Sequence, residues 1–260
     1  MNKEPLNLWC AYPDDLIADE VAQACAQLLS DDELARWQSF KFERHAREFL
    51  ATHALARIAL SNHYPLAPRA WHFSLNSYGK PAAEPDCGLR FNLSNSPGLV
   101  VCLIASGVEV GVDVEPCARA GKIAELAPEV LSPLELAQLD ALREDEKLDR
   151  ALRLWTLRES YMKARGMGLS LPMKRFSFLF GGAEGIRLEL DPDLNDQPER
   201  WRFCSLDHAG HRIALMVERA GAPELQIWET SPLGAPPAPL AADGTSWFPL
   251  ERAASKAKRP

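Results

Sequence analysis

Asp113 and Glu115, in the run Gly111-Val112-Asp113-Val114-Glu115, form the first pair whose types and spacing point to chemistry. Alternate residues of a strand share a face, so the two carboxylates project together while Val112 and Val114 pack behind them. Side-by-side carboxylates repel. A divalent cation removes that penalty, and hard oxygen donors of this kind suit Mg²⁺. The plain alternative is an exposed strand face with two solvated acids. A second set, Trp155, Glu159 and Lys163, recurs at every fourth residue and so shares one helix face. Glu159 is placed to add a third carboxylate, and Lys163 to reach a phosphate one turn on. The alternative is a surface ion pair between Glu159 and Lys163, worth about 0.2–0.5 kcal/mol, although a solvated face seldom carries a tryptophan. Tyr78-Gly79-Lys80-Pro81 projects a lysine from a turn, and Phe91-Asn92-Leu93-Ser94-Asn95-Ser96 ends a strand in small polar side chains able to donate to phosphate oxygens. Either of these alone is ordinary turn chemistry.

These side chains need elements to hold them. Residues 13–60 read as helical: Asp31-Asp32-Glu33 supplies a cap and first-turn acids, and Phe49, Leu50, His53, Ala54, Ile58 and Leu60 repeat at helical spacing. The texture then turns to strands at 71–75 and 89–93, separated by a loop at 76–81. Segments 99–105 and 108–114, meeting at Ser106-Gly107, are predicted to form an antiparallel hairpin. Helical periodicity returns at 134–142 and 148–165, followed by strands at 176–180, 186–190, 201–204 and 212–218. Arg90-Phe91, six residues and Gly98 before an apolar strand recurs as Arg202-Phe203, six residues and Gly210. Each copy follows a long helix and a Phe-Ser strand. The reading is an α+β fold duplicated within one chain: an N-terminal half at 1–112, a C-terminal half at 113–230, and a Pro-rich tail at 231–260. A ligand cleft is expected at the seam. In the tail, Trp247-Phe248-Pro249-Leu250 is placed to dock locally, and the basic end is assigned no function.

Composition bounds the rest. The chain has 260 residues, 47% hydrophobic and 25% charged, which excludes a disordered protein and permits a large core. No apolar run approaches the ~20 residues of a membrane helix. Met1-Asn2-Lys3-Glu4-Pro5 does not begin a signal peptide, so a cytoplasmic location is expected. A net charge of -7 argues against nucleic-acid binding. The six cysteines form no C-x-x-C pair and read as free thiols, without a zinc site or disulfide framework.

In this order and at these separations, the four patterns resemble the 4'-phosphopantetheinyl transferase superfamily, in its longer, surfactin-synthetase-activating class. The G-[IV]-D-[ILV]-E motif matches at 111–115, and the W-x-x-K-E-[AS]-x-x-K-x-x-G-x-G-L helix motif matches from Trp155 onward. The G-K-P and F-N-[IL]-S-H-S motifs have counterparts upstream. The resemblance implies a pseudo-twofold monomer of two α/β subdomains, with coenzyme A and Mg²⁺ in the cleft between them. It implies transfer of the 4'-phosphopantetheine arm of coenzyme A to a serine of an apo acyl carrier protein or a peptidyl or aryl carrier domain. Adenosine 3',5'-bisphosphate leaves. By the same resemblance Asp113, Glu115 and Glu159 hold Mg²⁺. Glu159 is the candidate base, with a metal-bound water as the alternative, and Lys163 neutralises the leaving phosphate. Arg36, Lys80, Asn92, Ser94 and Asn95 map to coenzyme A contacts, together with Asp113, Glu159 and Lys163.

Two positions depart from the pattern. Arg158 replaces the usual lysine before the helix glutamate, and Asn95 the usual histidine, which exchanges a cation for neutral hydrogen bonds. Carrier proteins of this kind are acidic, so docking is expected to use part of the set Arg150, Arg153, Arg158, Lys163, Arg165, Lys174 and Arg175, with the apolar segment 123–136. Two other readings share the acids. One is another Mg²⁺-dependent phosphotransferase, disfavoured by the lack of a G-x-x-x-x-G-K-[ST] loop. The other is a coenzyme A or carrier-protein binding module without catalysis.

Overall fold

A computed structural model describes residues 4–181, 185–231, 233–235, 237–240 and 245–248. The elements are β1 (Leu6–Ala11), α1 (Asp19–Ala26), α2 (Asp31–Gln38), α3 (Glu43–His63), β2 (His72–Leu75), β3 (Pro81–Glu84), β4 (Leu89–Ser96), β5 (Leu99–Ser106) and β6 (Val110–Pro116). They continue with α4 (Ala120–Val130), α5 (Pro133–Asp140), α6 (Glu144–Arg165), β7 (Phe176–Phe180), β8 (Ile186–Leu190), β9 (Trp201–His208), β10 (His211–Glu218), β11 (Leu225–Glu229) and β12 (Ala238–Leu240). One sheet has the order β12-β11-β1-β5-β4 and another the order β6-β10-β9, beside the hairpins β2-β3 and β7-β8. Among the described residues no helix is long and apolar enough to cross a membrane.

The apolar alternation of these strands explains the layers. Leu8, Cys10, Val101 and Leu103 of the first sheet share a core with Val112, Val114, Ile213 and Leu215 of the second. The outer face of the first sheet meets α3 through Val100, Cys102 and Ile104 against Leu50, Ala54 and Leu55. The outer face of the second meets α6 through Ala214 and Met216 against Leu157 and Tyr161. The result is helix, sheet, sheet, helix, each apolar face covered once.

The same succession occurs twice: a strand, a long helix, a short hairpin, then a hairpin of two eight-residue strands turning at a positive-φ glycine, Gly98 or Gly210. In both copies the first strand pairs antiparallel with the last, Trp9 opposite Cys102 and Asp113 opposite Ala214.

The expected hairpin between 99–105 and 108–114 does not form. β5 is buried on both faces and has both edges occupied, by β1 and β4, so no edge remains for β6. The turn at Gly107 closes on Gly88, its N–H donating to the carbonyl at 2.8 Å, and the chain crosses to the second sheet, where β6 pairs with β10. The edge of β6 away from β10 is met by side chains of β4. Asn92 Oδ1 accepts from the Val112 N–H at 2.9 Å, and Ser94 Oγ from the Val114 N–H at 3.3 Å.

The sequence reading omits β1, β11 and α4. β11 comes from 113–230 yet lies parallel to β1 in the first sheet. Within 231–260, β12 pairs with β11, Leu233 and Trp247 are buried, and Phe248 bridges to Phe203. Residues 249–260, with Pro249, Leu250 and the basic end, lie outside the described residues.

Candidate active site

β6 and α6 build the site by backbone contact. Gly111 permits it: a Cβ there would stand 2.0 Å from the Ser160 carbonyl oxygen and 2.5 Å from the Ala164 nitrogen. With the helix that close, the outward-alternating Asp113 and Glu115 meet its Trp155–Glu159–Lys163 face, while Val112 and Val114 are 0% and 1% exposed in the inter-sheet core. The helix ends at Gly166, whose φ of 62° supplies the left-handed cap. A side chain at Gly166 would press on Lys80 and Asn76, so this cap also lets the Gly-Lys-Pro turn lie against the helix end.

Lys163 does not pair with Glu159. Its Nζ donates to Asp113 Oδ1 at 2.7 Å and to Ser94 Oγ at 2.8 Å, and the Ser94 hydroxyl donates to the same Asp113 oxygen at 3.1 Å. The other oxygen, Asp113 Oδ2, is buried and has no partner among the described residues. Glu115 is paired with Arg119, Nη1 to Oε2 at 2.5 Å. Burial first and then the charge of Asp113 push this carboxyl above its ordinary range, against the pull of Arg119. Glu159 is half-buried and, among the described residues, has no hydrogen-bond or ion-pair partner. Burial raises its pKa most, followed by the charge of Asp113, against the opposing pull of Lys163.

The charge of Asp113 thus raises the proton affinity of both Glu115 and Glu159, and one buried Asp113 oxygen is unsatisfied among the described residues. That donor set fits a hard divalent cation. In the present arrangement the cations at hand are Lys163 and Arg119. Among the described residues no three His, Cys, Asp or Glu side chains converge closely enough to hold a metal ion.

The remaining expected residues divide. Lys80, Asn92 and Lys163 line one open cavity of about 220 Å³ with Tyr78, Pro81, Met162 and Gly166. The three donors of Lys80 are engaged, on Glu109 Oε2 at 2.5 Å, the Ala164 carbonyl at 3.0 Å and the Val110 carbonyl at 3.2 Å. Asn92 is nearly buried, its oxygen committed to β6. Asn95 is exposed at the end of β4. Arg36 stands apart from this cluster on α2, its guanidinium 5.3 Å from the Phe49 ring centroid. Half-buried His53 bonds Glu33 at 2.8 Å and stacks on Phe49. Arg158 points away from the carboxylates into the core, where it meets Glu135. The sequence reading missed Arg119 and Glu135. Each had a signal: Arg119 lies four residues past Glu115, and Ser132-Pro133-Leu134-Glu135 is a capping-box pattern, formed here at the start of α5.

The family model described as the 4'-phosphopantetheinyl transferase superfamily matches residues 109–216, which span β6, α6 and the β9–β10 hairpin. A 4'-phosphopantetheinyl transferase of Bacillus subtilis is 33% identical over 190 residues, 72% of this chain and 82% of the relative. This chain therefore belongs to the 4'-phosphopantetheinyl transferase superfamily, and it is an enzyme of that class. The 4'-phosphopantetheinyl transferase Sfp of Bacillus subtilis (strain 168) is 29% identical over 219 residues, 84% of this chain and 95% of Sfp. The 4'-phosphopantetheinyl transferase HetI of Nostoc sp. (strain PCC 7120 / SAG 25.82 / UTEX 2576) is 34% identical over 151 residues, and the match covers 57% of this chain and 64% of HetI.

Proposed function

We propose that this chain transfers the 4'-phosphopantetheine arm of coenzyme A to a serine hydroxyl of an apo carrier protein, and that the reaction needs a divalent cation, Mg²⁺ by the chemistry of its donors. The observation that carries the reading is Glu159: a half-buried carboxylate with no partner among the described residues, its proton affinity raised, on the helix face that meets Asp113 and Lys163. A carboxylate base of raised proton affinity beside a cation is what a serine nucleophile needs.

The serine oxygen attacks the phosphorus that bears the pantetheine. A new P–O bond forms, and the P–O bond to adenosine 3',5'-bisphosphate breaks. The leaving phosphate keeps the bonding pair, and the serine proton passes to a Glu159 oxygen. Lys163, already 2.7 Å from Asp113, has a further N–H to offer the charge growing on the leaving group. Asp113, Glu115 and Glu159, once drawn closer together than they stand here, would hold the metal, which when bound supplies Lewis-acid charge neutralisation at the pyrophosphate. Ser94 locks Lys163 and Asp113 into one orientation. The twofold succession of elements supports a pseudo-twofold pair of subdomains, with the β4–β6 seam between them as the coenzyme A cleft.

The acceptor surface is narrower than the sequence suggested. Ile123, Ala127 and Leu131 face the core, leaving Leu126 and Leu134 outward. Arg158, Arg165 and Arg175 are engaged by Glu135, Asp196 and the pair Asp191 and Asp193. Arg150 lies over the Phe180 ring. Exposed Lys174, which reaches the Pro128 carbonyl at 3.4 Å, and half-buried Arg153, in a loose 3.8 Å pair with exposed Asp149, are the less firmly held cations for an acidic partner.

Intact mass of an apo carrier protein incubated with this chain, coenzyme A and Mg²⁺ tests the reading. One phosphopantetheine should be gained, and the gain should vanish with EDTA or with Glu159→Ala. No gain on any of several fatty-acid, polyketide and peptidyl carriers, with coenzyme A binding intact, would refute it in favour of a binding module. Reversing Arg153 and Lys174 should raise KM for the carrier and leave that for coenzyme A unchanged.

A further inference from the structure

Glu135 and Arg158 meet where water does not reach: their side chains are 0% and 2% exposed and 2.5 Å apart. Such a pair gives up the hydration of two ions, and apolar side chains of similar volume often stabilise a fold as well or better. What the pair enforces is geometry. Glu135 takes the Ser132 N–H on Oε2 and the Phe178 N–H on Oε1, each at 2.8 Å. Arg158 donates to the Phe176 carbonyl at 3.1 Å and to the Met173 carbonyl, with its guanidinium 4.3 Å from the Phe176 ring centroid. One buried node therefore joins α5, α6, β7 and the turn before β7. Three of its members are chain neighbours of residues that the transferase reading uses. Leu134, 53% exposed, precedes Glu135; exposed Lys174 follows Met173; Glu159 follows Arg158.

We propose that Glu135 and Arg158 are a positioning pair that fixes the distance from the acceptor-docking surface to Glu159, so that a serine seated there arrives within reach of the Glu159 carboxylate. The proposal rests on the transferase reading. Neither side chain touches substrate; both act through the backbone they hold. A misplacement of about 1 Å between nucleophile and base costs about a hundredfold in rate. Apolar packing alone tolerates small slides of a helix along its neighbours, whereas this node of fixed donors and acceptors, with Arg158 Nε alone of its guanidinium nitrogens unpartnered among the described residues, makes its other bonds in one register.

The test replaces the pair by Glu135→Leu with Arg158→Met in the full chain, beside Arg158→Lys and Arg158→Gln. Tm, Kd for coenzyme A, kcat and KM with apo carrier protein, and amide exchange at residues 159–163 are measured. In the apolar pair the Ser132 and Phe178 N–H groups lose their acceptors, so Tm should fall. Measured where the variant is folded, coenzyme A affinity should stay near wild type while kcat falls at least tenfold and amides 159–163 exchange faster. Arg158→Lys keeps a cation on Glu135 and should return kcat to within a few fold of wild type. If the apolar pair transfers at the wild-type rate, the pair is merely structural and the proposal is overturned. Should that variant not fold, equal kcat values for Arg158→Gln and Arg158→Lys, measured where both are folded, overturn it equally. A wild-type chain that loads no carrier overturns the transferase reading itself, and the proposal with it.

Discussion

Replacing Gly111 by alanine should damage catalysis and stability together, because this glycine sets how closely α6 lies on β6. The added Cβ would stand 2.0 Å from the Ser160 carbonyl oxygen, where ordinary contact begins at 3.4 Å, so strand and helix must part by about 1.4 Å. The clashing atoms are backbone, with no side chain able to swing aside. The cost then falls at the upper end of overpacking, about 3 kcal/mol, or a fall in Tm of about 6–12 °C. The same parting would stretch the 2.7 Å contact between Lys163 and Asp113 beyond hydrogen-bonding range. A displacement of this size costs about a hundredfold in rate. Differential scanning calorimetry and single-turnover transfer to an apo carrier measure the two effects. A variant with kcat within threefold of wild type and Tm lowered by less than 2 °C would refute the reasoning.

Glu159→Gln should abolish transfer yet raise Tm in EDTA, since burial and the charge of Asp113 both oppose the ionised carboxylate; an unchanged or lower Tm speaks against the crowded-acid description. Glu33 is the opposite case. Burial would raise its pKa, but hydrogen bonds from His53 and the Ser30 N–H and the charge of Arg57 outweigh it and bring it to about 2. The folded state holds fewer protons than the unfolded chain in this window, so that stability is present above the ordinary carboxylate range and lost as pH falls toward 2. Denaturant melts of wild type and Glu33→Gln should converge by up to about 3 kcal/mol across that descent. Asn92→Leu leaves the Val112 N–H without its acceptor, at a cost of about 1–3 kcal/mol, and exchange of that one amide should quicken. Thiol titration of the native chain should find exposed Cys117 and half-buried Cys87 reactive. Cys10 and Cys25, pushed by burial to about 12 and about 11, and buried Cys102 and Cys204 should react only in denaturant.

Local periodicity made much of this fold legible. The strand alternation that sends Asp113 and Glu115 one way and Val112 and Val114 the other is a property of five residues, and it holds in three dimensions. The helix stripe of Trp155, Glu159 and Lys163 is equally local. β1 and β11 were not legible, because they are short apolar segments that only become strands beside each other. The expected hairpin between β5 and β6 fails for the same reason: without β1 in view, the edge of β5 looked free.

The sequence by itself determined the family and the chemical inventory, since residue types and spacing survive in one dimension: three carboxylates, a lysine and the glycine of the strand motif. Which partner each charged group takes was decided only by tertiary structure. Lys163 is i,i+4 from Glu159 on the helix, yet it turns to Asp113 and Ser94 because the close packing at Gly111 brings β6 within its reach. Lys80 and Asn92, which also line the open cavity, spend their donors and acceptor on Glu109 and on backbone groups of β6 and α6 that no pattern places beside them. Arg158, one residue from Glu159, is turned inward by the helical step of about 100°. Adjacency in sequence fixed its place on the helix. Only the packing of α5 and β7 gave it the buried Glu135 to hold.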